Sequence, residues 1–189
     1  MLIKLIYKLI SLIAEKKLQL LNTKSIIKFP FYIINPKYCK INNSFASGPG
    51  LRLEAWDKYR GNKYNPEIII GNNVSINYNV HIGAINKIII GNNVLIGSNV
   101  LITDHSHGNL SNSIDREYKY LDLYSKGSVI IEDNVWIGEN VSIMPGVIIG
   151  KNCVIGANSV VTKNIEQNSI AAGNPAKLIK KIQIKGNDL

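Results

Sequence analysis

An aliphatic residue returns at every sixth position through the second half of this chain: Ile131, Ile137, Ile143, Ile149, Ile155 and Val161. Glycine follows at Gly138, Gly150 and Gly156, and four residues after each aliphatic stands Val135, Val141, Val147, Cys153, Ser159 or Ile165. The same beat runs through Ile70, Ile76 and Ile82, then through Ile90, Ile96 and Ile102. A period of six fits neither a helix at 3.6 nor a half-buried strand at two. It suits a parallel β-coil in which each short strand turns one aliphatic inward and then meets a corner. The run IIIGNNV occurs at 68–74 and again at 88–94, one 18-residue turn plus two, which places a small bulge near 84–87. Asparagine and glycine at the corners suit turns that need a positive φ.

At 189 residues, 46% hydrophobic and 19% charged, the chain suits one globular domain with an appendage and is not a disordered polymer. Its two cysteines, Cys39 and Cys153, offer neither a disulfide framework nor a zinc spacing, which fits a reducing cytoplasm. Cys153 occupies an inward slot of the repeat and reads as a small core residue. The net charge of +9 gathers at the ends: residues 1–40 carry eight lysines and one acid, and 171–189 carry four lysines and one acid. The middle is close to balanced, so a nucleic-acid groove is not expected.

Three segments follow. Residues 1–40 hold an N-terminal helix and linker, 41–170 the coil, and 171–189 a basic C-terminal tail. Residues 1–21 read as an amphipathic helix with Lys4, Lys8, Ser11 and Glu15 on one polar stripe and a wide apolar face. Its lysines interrupt it too often for a membrane span. A helix lying on the anionic inner membrane surface and a helix packed on the coil or a neighbouring subunit both satisfy that pattern. Upstream of residue 68 the beat is faint, with FPFYII and YCKI as short strands, and 56–66 reads as a protruding polar loop.

The beat then breaks. Ile102 to Ile131 spans 29 residues, not a multiple of six, and the extruded loop 103–128 carries His105 and His107, two of the three histidines. An irregular excursion from a regular coil is where function is expected. After Val161 the repeat closes on AAGNPAKLIKKI, with a turn at Gly173, Asn174 and Pro175.

Taken together, the hexads, the histidine loop after NVLI, the later VWIG and the closing GANSVVTK and AAGNPAK resemble the hexapeptide-repeat acyltransferases. The likeness covers about residues 68–182. It is strongest to the maltose and galactoside O-acetyltransferase branch and to the sugar acetyltransferases of surface-polysaccharide biosynthesis. The resemblance implies an all-β, left-handed parallel β-helix, acetyl-CoA as acyl donor, no metal, a saccharide acceptor and a homotrimer with active sites between subunits.

It also implies roles. In the resembling enzymes the base stands seven residues after the valine that opens this strand, which from Val100 is His107. Histidine suits that work because its unperturbed pKa is near neutrality. His105 then becomes an orienting neighbour or an outward loop residue, and either Asp104 or Asp115 could orient an imidazole. Asn77 matches an acceptor-holding asparagine, whose amide both donates and accepts. Coenzyme A would lie along the coil at Trp136, Gly138, Glu139, Gly156, Ala157, Thr162 and Lys163, with Lys163, Lys177 and Lys180 meeting its phosphates. Glu139 departs from that pattern, where a small serine is common. The cysteines are not placed as nucleophiles, so direct transfer is expected, to a hydroxyl or, alternatively, to the amine of an amino-sugar nucleotide. Two other readings compete: a zinc enzyme like the γ-class carbonic anhydrases, using His81, His105 and His107, and a non-catalytic scaffold. The first lacks the H-x4-H spacing of that family, and the second needs neither a histidine loop nor a basic end.

Overall fold

The structure, a computed structural model, describes residues 2–18, 24–109 and 117–183. Asp115 and the side chains of Lys4, Ser11 and Glu15 lie outside the described residues. Short strands stack into three parallel sheets that enclose one core. The first sheet runs Ile26–Ile27, Ala46–Ser47, Ser75–Ile76, Leu95–Ile96, Trp136–Ile137, Val154–Ile155 and Ser169–Gly173. The second runs Phe31–Ile34, Leu51–Ala55, His81–Ala84, Leu101–Thr103, Ser142–Ile143 and Val160–Val161. The third runs Cys39–Ile41, Glu67–Ile70, Lys87–Ile90, Val129–Ile131 and Ile148–Ile149. The chain visits the three in strict rotation, which makes it a β-helix.

The six-residue beat becomes three ladders of aliphatics. Ile76, Ile96, Ile137 and Ile155 lie in register in the first sheet, and Ile82, Ile102, Ile143 and Val161 in the second. Ile70, Ile90, Ile131 and Ile149 do so in the third. All twelve are buried, and the intervening slots Val74, Val94, Val135 and Cys153 pack beside them. One column of corners is built from Asn73, Asn93, Asn134, Asn152 and Asn168, each with φ between 55° and 59°. That left-handed backbone is costly for most residues but tolerated by asparagine. Each amide in the column also donates to the next at 2.8–3.2 Å, so the corner residues bond to one another up the coil.

The coil begins at Ile26, inside the stretch where the sequence shows only a faint beat. Its first turns bury Ile27, Cys39, Ile41, Phe45, Leu51 and Leu53, a mixture of shapes that hides the period. Within the basic C-terminal segment, Ala176–Lys181 forms a strand, antiparallel to Ser169–Gly173, and closes the first sheet. Residues Leu2–Lys17 form a helix whose Ala14 and Leu18 join the core beside Ile27. Leu5, Ile6, Leu9, Leu12 and Ile13 of that helix are exposed.

Two excursions leave the corner between the second and third sheets. One is a hairpin, Lys58–Tyr59 with Asn62–Lys63. The other is the long loop, in which Ser106–His107 pairs antiparallel with Leu123–Tyr124. They brace each other: Tyr64 Oη donates to the Leu123 carbonyl at 3.2 Å and accepts from the Leu123 N–H at 3.1 Å. Arg60 lies over the Tyr120 ring, 5.0 Å from its centroid. The candidate site is built on this double excursion.

Candidate active site

Asp104 follows directly on the strand Leu101–Thr103 and is fully buried. A carboxylate in that position is costly unless it is hydrogen-bonded. It accepts from the Ile85 N–H at 2.9 Å and from the Asn86 N–H at 2.8 Å, two amides of the corner on the preceding turn. Its Oδ1 also lies 3.0 Å from Nδ1 of His105. A charged carboxylate can only accept, so the neutral His105 ring carries its proton on Nδ1 and keeps a lone pair on Nε2. His105 is therefore tucked inward rather than turned to solvent, and of the two acids named above only Asp104 falls where its contact can be described.

His107 stands on the short strand Ser106–His107 and is exposed. Its ring meets Tyr59 of the hairpin edge to face, with centroids 5.7 Å apart. The two histidines thus differ in setting: His105 is fixed by a buried acid, and His107 faces outward over the double excursion.

A second polar group sits on the outer face of the second sheet. Glu54 points outward from Leu51–Ala55 yet is buried. It accepts from Arg52 Nε at 3.0 Å and Nη2 at 2.6 Å, and from Trp56 Nε1 at 3.3 Å. Both Arg52 bonds go to Oε1, whereas His81 Nε2 lies 3.2 Å from Oε2, the oxygen that Trp56 also meets. Burial works against the Glu54 charge, but Arg52 and His81 outweigh it and hold the carboxyl below the usual carboxylate range. For His81 burial wins, so its ring is held below the ordinary imidazole range although Glu54 pulls the other way. A Cβ placed on Gly83 would lie 3.3 Å from His81 Nε2 and 3.4 Å from His105 Cε1, so the two imidazoles converge there too closely to leave comfortable room for a side chain. The sequence held a signal for this group, since residues 52, 54 and 56 alternate onto one face of a strand. Without the neighbouring turns, however, nothing linked that face to His81.

The remaining expected residues occupy other faces. Asn77 is exposed on the corner after Ser75–Ile76, one face away from the histidines. Trp136 is exposed on the outer face of the first sheet, flanked in register by Leu95 and Val154. Gly138 and Gly156 have a packing reason for lacking side chains: a Cβ at Gly138 would meet the Ala157 nitrogen at 2.6 Å, and one at Gly156 the Ala172 Cβ at 2.8 Å. Their N–H groups donate to the Ile155 and Ala171 carbonyls within the coil. Those N–H groups are therefore engaged within the coil. Glu139, Ala157, Thr162 and Lys163 are exposed on the corners that follow. Lys163 and Lys177 line one cleft of about 370 Å³ with Lys181, Ile165 and Leu178. Lys180 is not among its lining residues, while Lys181, which sequence reasoning passed over, is and pairs with Glu166 at 2.7 Å. Among the described residues, no group of three or more His, Cys, Asp or Glu side chains is gathered to hold a metal ion.

Residues 128–163 match the family "Bacterial transferase hexapeptide (six repeats)", and 87–103 match "Hexapeptide repeat of succinyl-transferase". The chain is 43% identical over 163 residues to WbbJ of Escherichia coli (strain K12), which carries the name of a lipopolysaccharide biosynthesis O-acetyl transferase. That alignment takes in 82% of this chain and 78% of the relative. The chain belongs to the hexapeptide-repeat acetyltransferases. It is also similar to a solved maltose O-acetyltransferase from Clostridium difficile 630, with 42% identity, a TM-score of 0.54, and coverage of 64% of this chain and 61% of that one. A hexapeptide-repeat acetyltransferase from Vibrio cholerae, solved with acetyl coenzyme A, shares 28% identity at a TM-score of 0.59, covering 86% of this chain and 70% of that one. The first family match takes in Trp136, Gly138, Glu139, Gly156, Ala157, Thr162 and Lys163, and the second ends at Thr103, one residue before Asp104.

Proposed function

We propose that this acetyltransferase moves an acetyl group directly from acetyl-CoA to a saccharide hydroxyl in the biosynthesis of a bacterial surface polysaccharide, with His107 as general base. The observation that carries the reading is the concentration of histidines at the one large break in the coil, on an excursion braced by a second one. His107 removes the proton of the acceptor hydroxyl, the oxygen attacks the thioester carbon, and the thiolate of coenzyme A leaves. The name of the E. coli relative supports an O-acetylated surface glycan, and the acetyl coenzyme A in the Vibrio structure supports the donor. The exposed strip of Leu95 and Trp136 supports a donor arm laid against the first sheet. The cleft with Lys163, Lys177 and Lys181 supports an anionic end at the C-terminal turns. A homotrimer fits the same strip, because a large apolar ring beside leucine is better covered than wet.

One observation favours a second assignment of the base. Asp104 holds His105 in the tautomer that a base needs, whereas the contact His107 makes among the described residues is with the Tyr59 ring. A thiol-release assay with acetyl-CoA and a panel of sugars separates the two. His107→Ala is expected to lower kcat/KM about 10²- to 10⁴-fold, the range of general-base catalysis, and His105→Ala much less. The reverse order would transfer the role to His105, and absence of thiol release with every sugar would refute the function.

The N-terminal helix belongs to the same reading. Its exposed Leu5, Ile6, Leu9, Leu12 and Ile13, together with exposed Lys8, Lys16 and Lys17, supports attachment to the anionic cytoplasmic leaflet, where lipid-linked saccharides are assembled. No described helix is long and apolar enough to cross a membrane.

A further inference from the structure

The group around Glu54 has no part in the chemistry described so far, and its construction calls for a reason. Burying a carboxylate on the outward side of a strand gains nothing in stability over an apolar residue of similar size, even when the charge is fully paired. Here three side chains are spent on it. Arg52 and His81 stand opposite each other in register, and Trp56 closes the far side. What the arrangement achieves is orientation. With Nε2–H given to Glu54, the neutral His81 ring presents Nδ1 as an acceptor. Arg52 is more than half exposed and has N–H groups to spare beside it. Next along the same row is Tyr32, paired with Arg52 in register and exposed, while Trp56 and Tyr59 are partly exposed beyond Glu54.

We propose that this face is the acceptor floor, and that the Glu54-held His81, with Arg52, grips a hydroxyl adjacent to the one being acetylated. The chemistry matches a pyranose ring carrying a vicinal diol. A hydroxyl both donates and accepts, and an imidazole nitrogen beside a guanidinium supplies both partners. Aromatic rings at the margins suit the C–H faces of a sugar. Gly83 lets the two rings come together, because a Cβ there would crowd both His81 Nε2 and His105 Cε1. A sugar on this face would have one hydroxyl on His81 Nδ1 and the next toward the loop histidines. His81 and Arg52 are thus specificity-determining residues, and Glu54 is a positioning residue acting through them.

The inference rests on the protein being a saccharide acetyltransferase, so its test begins once an acceptor releases thiol. His81→Gln is expected to raise the acceptor KM by about tenfold or more, the discrimination a site loses when a hydroxyl partner is removed. The KM for acetyl-CoA should stay within about twofold, as for any change confined to the other substrate. Glu54→Gln should do the same with a folded thermal midpoint. Gly83→Ala, which keeps every charge, should reproduce the effect by crowding the His81 ring out of its place. The decisive comparison uses an acceptor lacking the adjacent hydroxyl: with it, His81→Gln should add no further loss, because the two changes remove one contact. An unchanged acceptor KM in His81→Gln and Gly83→Ala, or losses that simply add, would overturn the proposal while leaving the acetyltransferase reading intact. No thiol release by the wild-type protein with any saccharide would overturn both.

Discussion

At the scale of single residues, Asp104 illustrates how a coil carries chemistry. Its carboxylate closes a corner of the preceding turn through two backbone N–H groups and fixes His105 with the same oxygens. Asp104→Asn sets an amide N–H₂ against backbone donors, which is expected to cost about 1–3 kcal/mol. Chemical denaturation measures that loss, and the thiol-release rate should fall with it. Glu54 and His81 give a pH dependence with a definite sign. Both have folded pKa values below their ordinary ones, so the unfolded chain takes up these protons first as pH drops. The His81 share of stability is therefore whole above about pH 6.5 and declines below it, and the Glu54 share follows below about pH 4.3. Denaturation midpoints recorded from neutral to acid pH should fall in that order. His81→Gln should remove the first decline and keep the second, and an unchanged first decline would assign it to another group.

At the scale of elements, the repeat was legible because each hexad puts its aliphatic on the coil axis whatever surrounds it. Ile102→Ala removes one rung between Ile82 and Ile143 and is expected to cost about 2–5 kcal/mol. The corners carry a finer expectation. Asn134 sits at φ 57° and bonds to the asparagines above and below it. Asn134→Gly loses the ladder but keeps the backbone geometry, whereas Asn134→Ala also meets the left-handed penalty of about 1–2 kcal/mol. Urea midpoints should rank wild type, glycine, alanine. What the sequence could not show was contact between elements distant along the chain. The hairpin at 58–63 reads as a polar loop, and only the fold brings Tyr59 to His107 and Tyr64 to Leu123. The first turns stayed faint because residues such as Phe45, Leu51 and Leu53 fill slots that isoleucine and valine hold later.

At the scale of the whole molecule, the histidine loop announced itself as a break in a count, so its position could be read directly. The polar face around Glu54 could not, because it joins residues from the strands at 52–56 and 81–83 with the segment at 104–105, which meet only when turns stack. The charge at the two ends also acquires a place. In the basic C-terminal segment the strand Ala176–Lys181 lies beside the Lys163 cleft, and N-terminal lysines lie on a helix whose aliphatics are exposed. Full-length protein is expected to sediment with anionic vesicles and to be released by salt, whereas Leu9→Glu with Ile13→Glu should remain in the supernatant. Equal sedimentation of both proteins would assign the apolar face another role.

The central claim is direct acetyl transfer to a saccharide hydroxyl, and product analysis addresses it in one experiment. Protein, acetyl-CoA and a surface-type oligosaccharide are incubated together, and the saccharide and the protein are weighed by mass spectrometry. Direct transfer predicts one acetyl gained by the saccharide for each coenzyme A released, an ester labile to mild base, and no acetyl on the protein when the acceptor is left out. An acetylated protein intermediate, or coenzyme A released with no acetylated sugar, would contradict it.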